Sequence, residues 1–132
     1  FFGVLDTTSG ELNYVNAGHD PPYLMEQGLI IDQLNPTGPA AGIMDNAQFS
    51  LDKRSLGPGA CLVLYSDGVP DALNAEGEML TQERWRALLE GIEARGAAGV
   101  AVLRKQIFDF IGEADQYDDI SLLKLQRVGV EK

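Results

Sequence analysis

A chain of 132 residues, 45% apolar and 23% charged, has the length and balance of one globular domain with a real core. Its formal charge of −10 argues against attraction to nucleic acid or an anionic membrane; it suits plain solubility first and, after that, the collection of divalent cations. No stretch is long and apolar enough to span a bilayer, no basic n-region leads into an apolar h-region, and the lone Cys61 reads as a buried thiol compatible with a reducing cytoplasm.

The first half of the chain reads as strand and turn. Phe1 to Leu5 and Leu12 to Asn16 are apolar or alternating runs, joined by the turn formers Asp6-Thr7-Thr8-Ser9-Gly10, and predict a hairpin. Pro21-Pro22 forces an extended entry into Tyr23-Leu24-Met25, and Gln27-Gly28 turns the chain into Leu29-Ile30-Ile31. Asn35-Pro36-Thr37-Gly38-Pro39 predicts an irregular loop. Gln48 to Lys53 alternates, with Phe49 and Leu51 on one face, and Gly57-Pro58-Gly59 leads into a buried strand from Ala60 to Tyr65. The chain starts without Met on a strand-like run, so the N-terminus is expected to be a cut through a larger protein.

The second half reads as helical until its end. Thr81 is the expected cap of a first helix, with Leu80 and Trp85 as a hydrophobic staple. Trp85, Leu88, Leu89 and Ile92 recur at helical spacing; Gly91 weakens the end and Gly96 is expected to stop it. A second helix is predicted over about 97–112, with Val100, Leu103, Ile107 and Ile111 inward. Ile120 to Leu125 makes a closing strand, and the tail from Arg127 to Lys132 is expected to fray. The fold class that follows is α+β, a mainly antiparallel sheet with a helix pair on one face.

Two groups of carboxylates carry the chemical signal. Asp67 ends the apolar run Cys61 to Leu64 in Tyr65-Ser66-Asp67-Gly68, and Asp71 follows four residues later in a segment that stays apolar. Asp-Gly after a strand is also a common turn. Against that, Gly68 lets the backbone approach whatever Asp67 holds. Asp118-Asp119 opens the closing strand, where one acid can serve as a ligand while the other holds the loop; a pair of solvated loop acids is the equal alternative. An all-oxygen set of carboxylates, carbonyls and waters selects a hard cation such as Mg²⁺ or Mn²⁺. The only histidine, His19, reads as an organiser of its own loop. With no second His or Cys at ligand spacing, zinc is disfavoured. No Gly-x-Ser-x-Gly elbow, Walker loop or dinucleotide glycine motif occurs.

Three segments taken together resemble successive signatures of the PPM-type serine/threonine phosphatases, most closely the bacterial SpoIIE/RsbU branch related to protein phosphatase 2C. They are Asn16-Ala17-Gly18-His19-Asp20-Pro21-Pro22-Tyr23-Leu24, Leu64-Tyr65-Ser66-Asp67-Gly68-Val69 and Gln116-Tyr117-Asp118-Asp119-Ile120-Ser121-Leu122-Leu123. Pro39-Ala40-Ala41-Gly42-Ile43 resembles the family's Gly-rich stretch before the core strand, so the likeness covers essentially the whole chain. The resemblance implies part of an α-β-β-α sandwich. It implies that Asp67 and Asp118 are catalytic metal ligands of one binuclear Mn²⁺ or Mg²⁺ site. Gly68, Asp71 and Asp119 would support those ligands or serve a third ion. In such a site two ions activate the hydroxide that attacks phosphorus and stabilise the growing charge.

The family's other half-site comes from an earlier segment, Asp-x-Ser-Gly-His-Gly or a close variant, which this sequence lacks. Gly18-His19 belongs to a different motif. Residues 1–132 are therefore expected to be the C-terminal portion of a single phosphatase domain, with its N-terminal portion absent and little activity alone. The resemblance further implies a cytoplasmic bacterial signalling enzyme. Its substrate would be a regulatory phosphoprotein such as an anti-sigma-factor antagonist, with a sensor or receiver domain upstream and no contact with nucleic acid or membrane. The competing expectation is a phosphatase-fold interaction domain that binds a regulator without hydrolysis.

Overall fold

The computed structural model describes residues 1–92 and 96–129. Strands β1 (Phe2–Leu5) and β2 (Glu11–Val15) form the expected hairpin. Asp6 makes its turn: one carboxylate oxygen accepts from the Thr8 and Ser9 N–H groups, and Gly10 takes a φ of +82°. Strands β3 (Tyr23–Glu26) and β4 (Leu29–Gln33) form a second hairpin through Gln27 and Gly28, both at positive φ as a type I′ turn requires.

Strand β5 (Asp52–Ser55) pairs with β2, so the first sheet has the order β1-β2-β5. Sequence alternation had placed this strand at 48–53, and the structure corrects it. Leu51 is 67% exposed, and Phe49 lies against Gly38 in the preceding loop. Polar partners fix the register instead: the Tyr14 hydroxyl donates to Asp52, and Arg54 pairs with Asp52 and with Asp32 of β4.

Strands β6 (Cys61–Tyr65) and β7 (Leu122–Gln126) complete the second sheet, order β4-β3-β6-β7, and every pairing in both sheets is antiparallel. The central strands of the second sheet, β3 and β6, are buried on both faces, which explains why β6 is apolar without alternation. On one face Leu24 and Leu62 meet Leu12 and Tyr14 of the first sheet, together with Leu34 and Leu56. On the other, Tyr23, Met25, Cys61, Val63 and Tyr65 pack on the helices. Burial pushes the Cys61 thiol up from its ordinary pKa, as suits a core residue.

Helices α1 (Thr81–Glu90) and α2 (Gly96–Ile111) supply Trp85, Leu89, Leu103, Ile107 and Ile111 to this second core, with Leu88 and Ile92 half-buried beside them. Leu80 joins Trp85 there, as a staple would. Three details differ from expectation. Thr81 is the first residue of α1 rather than the residue before it, although its hydroxyl accepts from the Arg84 N–H at 3.4 Å. Gly91 closes α1, while Gly96 begins α2 instead of stopping the first helix. Val100 is only half-buried and lies outside the core cluster.

The tail also departs from expectation at its first residue. Arg127 donates from its guanidinium to the carbonyls of Thr8, Ser9 and Leu56, and its backbone N–H donates to Ala60. Residues 130–132 of that tail lie outside the described residues. Sheet, sheet and helix pair are three layers of an α-β-β-α arrangement. Among the described residues no helix is long and apolar enough to cross a membrane.

Candidate functional site

The site is built where β6 ends. Tyr65 is buried and anchors the strand, and the chain then tightens: the Val69 N–H donates to Ser66 and the Asp71 N–H donates to Asp67. This turn leaves Asp67 exposed at the strand end and Asp71 half-buried behind it. Ser66 ties the turn to the entry of β7. Its hydroxyl donates to the Asp119 carbonyl at 2.8 Å and accepts from the Ser121 N–H at 2.9 Å, while its backbone N–H donates to the Ser121 carbonyl at 3.0 Å. Gly68 is buried directly against the backbone of Asp118 and Asp119.

The two acidic segments, remote in sequence, thus meet through their backbones. Their side chains are placed differently. Asp67 and Asp71 line a cleft of about 480 Å³ with Asp20, Pro70, Met79, Thr81 and Gln82. Asp67 and Asp20 also border an adjoining cavity of about 210 Å³ with Gly18, His19, Tyr65 and Ser66. Asp118 and Asp119 are exposed and line neither space. The Asp118 carboxylate accepts from the Asp119 N–H at 2.7 Å, which stiffens the loop, and Gln116 donates to the Asp118 carbonyl.

Asp20 is the residue that sequence reasoning missed. Burial, and then the negative charge of Asp67, raise its pKa above the ordinary carboxylate range; His19 opposes the shift and Asp71 adds to it. Its signal was present but faint, an acid between the sole histidine and Pro21-Pro22. The loop that carries it is organised by Asn16, which is fully buried. The Asn16 amide donates to the carbonyls of His19 and Leu34 and accepts from the His19 N–H. His19 also donates from Nδ1 to the Asp20 carbonyl at 2.6 Å, the loop-organising role expected of it.

The carboxylates of Asp20, Asp67 and Asp71 offer the cleft oxygen donors, the chemistry a hard cation takes. Among the described residues no group of three or more His, Cys, Asp or Glu side chains is disposed to hold an ion. A partial shell of one or two carboxylates completed by waters is nevertheless how Mg²⁺ is commonly bound, so the residues present fit such an ion as one part of its site.

Comparison with known proteins places the fold. The family model described as Stage II sporulation protein E (SpoIIE) matches residues 1–128. The chain is 35% identical over 130 residues to Protein IcfG of Synechocystis sp. (strain ATCC 27184 / PCC 6803 / Kazusa), a match covering 96% of this chain and 20% of that protein. It is similar in structure to the RsbU and RsbW domains of Rv1364c from Mycobacterium tuberculosis, at a TM-score of 0.73 and 27% identity over 98% of this chain and 37% of that one. The phosphatase domain of the cell fate determinant SpoIIE from Bacillus subtilis shares the fold, with a TM-score of 0.74 and 12% identity over 99% of this chain and 59% of that one. The chain therefore spans a minor part of the curated relative and little more than half of that solved domain.

Proposed function

Since this chain belongs to the SpoIIE family, we propose that it forms part of a PPM-type protein phosphatase that hydrolyses phosphoserine or phosphothreonine on a regulatory phosphoprotein. The observation that carries this reading is the clasp through Ser66 and Gly68. It fixes the Asp67 strand end against the Asp118–Asp119 loop, and this proximity of the two backbones supports a shared centre. Asp67 and Asp118 would hold Mn²⁺ or Mg²⁺, with Gly68, Asp71 and Asp119 in support. Bound there, such ions supply Lewis acidity and a water activated for attack on phosphorus.

The chain's own residues contribute placement. Asp67 is aimed by a strand buried on both faces, and the Ser66 bonds keep the β7 entry from drifting away from it. Open space beside Asp67 and Asp71 leaves room for a phosphoryl group and water. Further ligands are proposed to come from a segment outside these residues, a view supported by the 59% share of the Bacillus subtilis domain that the chain covers. Within the SpoIIE/RsbU branch, the substrate we favour is an anti-sigma-factor antagonist in a bacterial cytoplasm, with a sensor or receiver domain tuning the activity.

The second reading, a phosphatase-fold domain that binds a regulator without hydrolysis, is favoured by the lack of a three-ligand set among the described residues. A manganese-dependent assay of the full natural protein on a phosphoprotein separates the two. Turnover that Asp67→Asn removes supports the enzyme. Inertness with manganese and a cognate phosphoprotein supports the binding domain.

A further inference from the structure

The second residue of α1 reaches into the site. Gln82 is exposed over much of its surface, yet both ends of its side-chain amide are engaged. Oε1 accepts from the Tyr65 hydroxyl at 3.0 Å and the Tyr23 hydroxyl at 3.3 Å, and Nε2 donates to Asp20 Oδ2 at 3.3 Å. The amide has one workable orientation, because turning it over would set its carbonyl oxygen against the Asp20 carboxylate. Its anchor is rigid. The Tyr23 and Tyr65 rings are buried and stacked, 5.6 Å apart and 9° from parallel, with Trp85 edge-on to Tyr65.

Tyr65 is also the last residue of β6, with Ser66 and Asp67 next in the chain. One support therefore serves both sides of the opening: the strand that aims Asp67 and the amide that steadies Asp20. Asp20 and Asp67 are the two acids that border both cavities. The choice of glutamine is chemically informative. Lysine at position 82 would also bond Asp20, but its charge would cancel the carboxylate's field. A neutral donor orients Asp20 and leaves its full negative charge facing the opening.

We propose that Gln82 is a positioning residue of the cation cleft: by holding the Asp20 carboxylate beside Asp67, it sets how tightly the cleft binds a divalent ion. The inference rests on the phosphatase reading above. Asp20 acts across hydration water rather than as a direct ligand, strengthening binding through its charge and by accepting hydrogen bonds from the ion's water shell.

The test uses Mn²⁺ alone as the probe, with free ion followed by electron paramagnetic resonance in the full natural protein. Gln82→Met keeps the length of the side chain and removes its bonds to Asp20 and the tyrosines. It should weaken Mn²⁺ binding by roughly 10-fold, the lower end of what loss of an outer partner costs. Gln82→Asn, too short to bridge, should act in the same direction and serves if the Met variant does not fold. Asp20→Asn should weaken binding at least as much, and adding Gln82→Met to it should change little, because the glutamine acts through Asp20. Unchanged Mn²⁺ affinity in both Gln82 variants, or independent additive losses in the double variant, would overturn the inference. Asp67→Asn separates this outcome from failure of the wider reading. If that variant loses Mn²⁺ while the Gln82 variants do not, only the positioning role falls. If it binds Mn²⁺ undiminished, the cleft is not the cation site and both proposals fall.

Discussion

Gly68 lies so close to the Asp119 carbonyl that no Cβ fits between them. The two residues belong to different strand ends, and their contact is what brings the two acidic segments together. The neighbour is backbone rather than the tip of a flexible side chain, so it cannot yield cheaply. Gly68→Ala should destabilise the fold by about 1–3 kcal/mol, the usual cost of overpacking. A guanidinium midpoint lowered at unchanged slope would show it, whereas an unaltered midpoint would mean the β7 entry moves freely.

Asp118 offers a cleaner separation of structure from chemistry. Its Oδ1 accepts from the Asp119 N–H, and an asparagine oxygen can accept the same bond. Asp118→Asn should leave the thermal midpoint nearly unchanged while lowering manganese-dependent turnover of the full protein by at least about 100-fold, beyond the loss from an outer partner. Activity close to that of the unsubstituted enzyme would remove Asp118 from the ligand set.

The two adjacent leucines of α1 should behave differently. Leu89 is 2% exposed within the helix-side core, whereas Leu88 is half-buried at its margin. Leu89→Ala should cost about 2–5 kcal/mol and Leu88→Ala distinctly less. Equal losses in urea unfolding would contradict the assigned helix face.

Alkaline pH should unfold the protein through its tyrosines. Burial, and then the hydrogen bond to Asp52, push the Tyr14 hydroxyl up to about 12 from an ordinary 10.0, and burial raises Tyr65 as well. In that window the folded chain keeps protons that the unfolded chain has released, so the stabilisation is complete below pH 10 and is lost as pH rises toward 12. Tyr14→Phe should flatten this decline in urea midpoints. A slope identical to that of the unsubstituted protein would assign the alkaline loss elsewhere.

Where hydrophobic pattern and turn chemistry point the same way, the sequence was readable. The Asp6–Gly10 turn, the unbroken apolar run of β6 and the helical spacing of Trp85, Leu89, Leu103 and Ile107 each describe a local cause, and each formed as expected. β5 was misplaced because its position depends on Tyr14 and Asp32, partners supplied by other strands. The cleft shows the same division. Asp67 and Asp71 could be singled out from their own strand end. Asp20 gains its surroundings only when Gln82, far along the chain, folds over it.

Arg127 has a consequence for the order of events during synthesis. Its guanidinium closes on carbonyls of the first hairpin, and β7 beside it supplies one flank of β6. The Arg127 contacts span 118 and 119 residues, and loop closure must be completed before such contacts return any stability. While the ribosome is still delivering residues at about 5–20 per second, the nascent chain can form its hairpins and helices but cannot lock them together. Until residue 127 has emerged, the apolar β6 edge stays open to other chains, which makes the interval between synthesis of β6 and synthesis of β7 a period of exposure to aggregation.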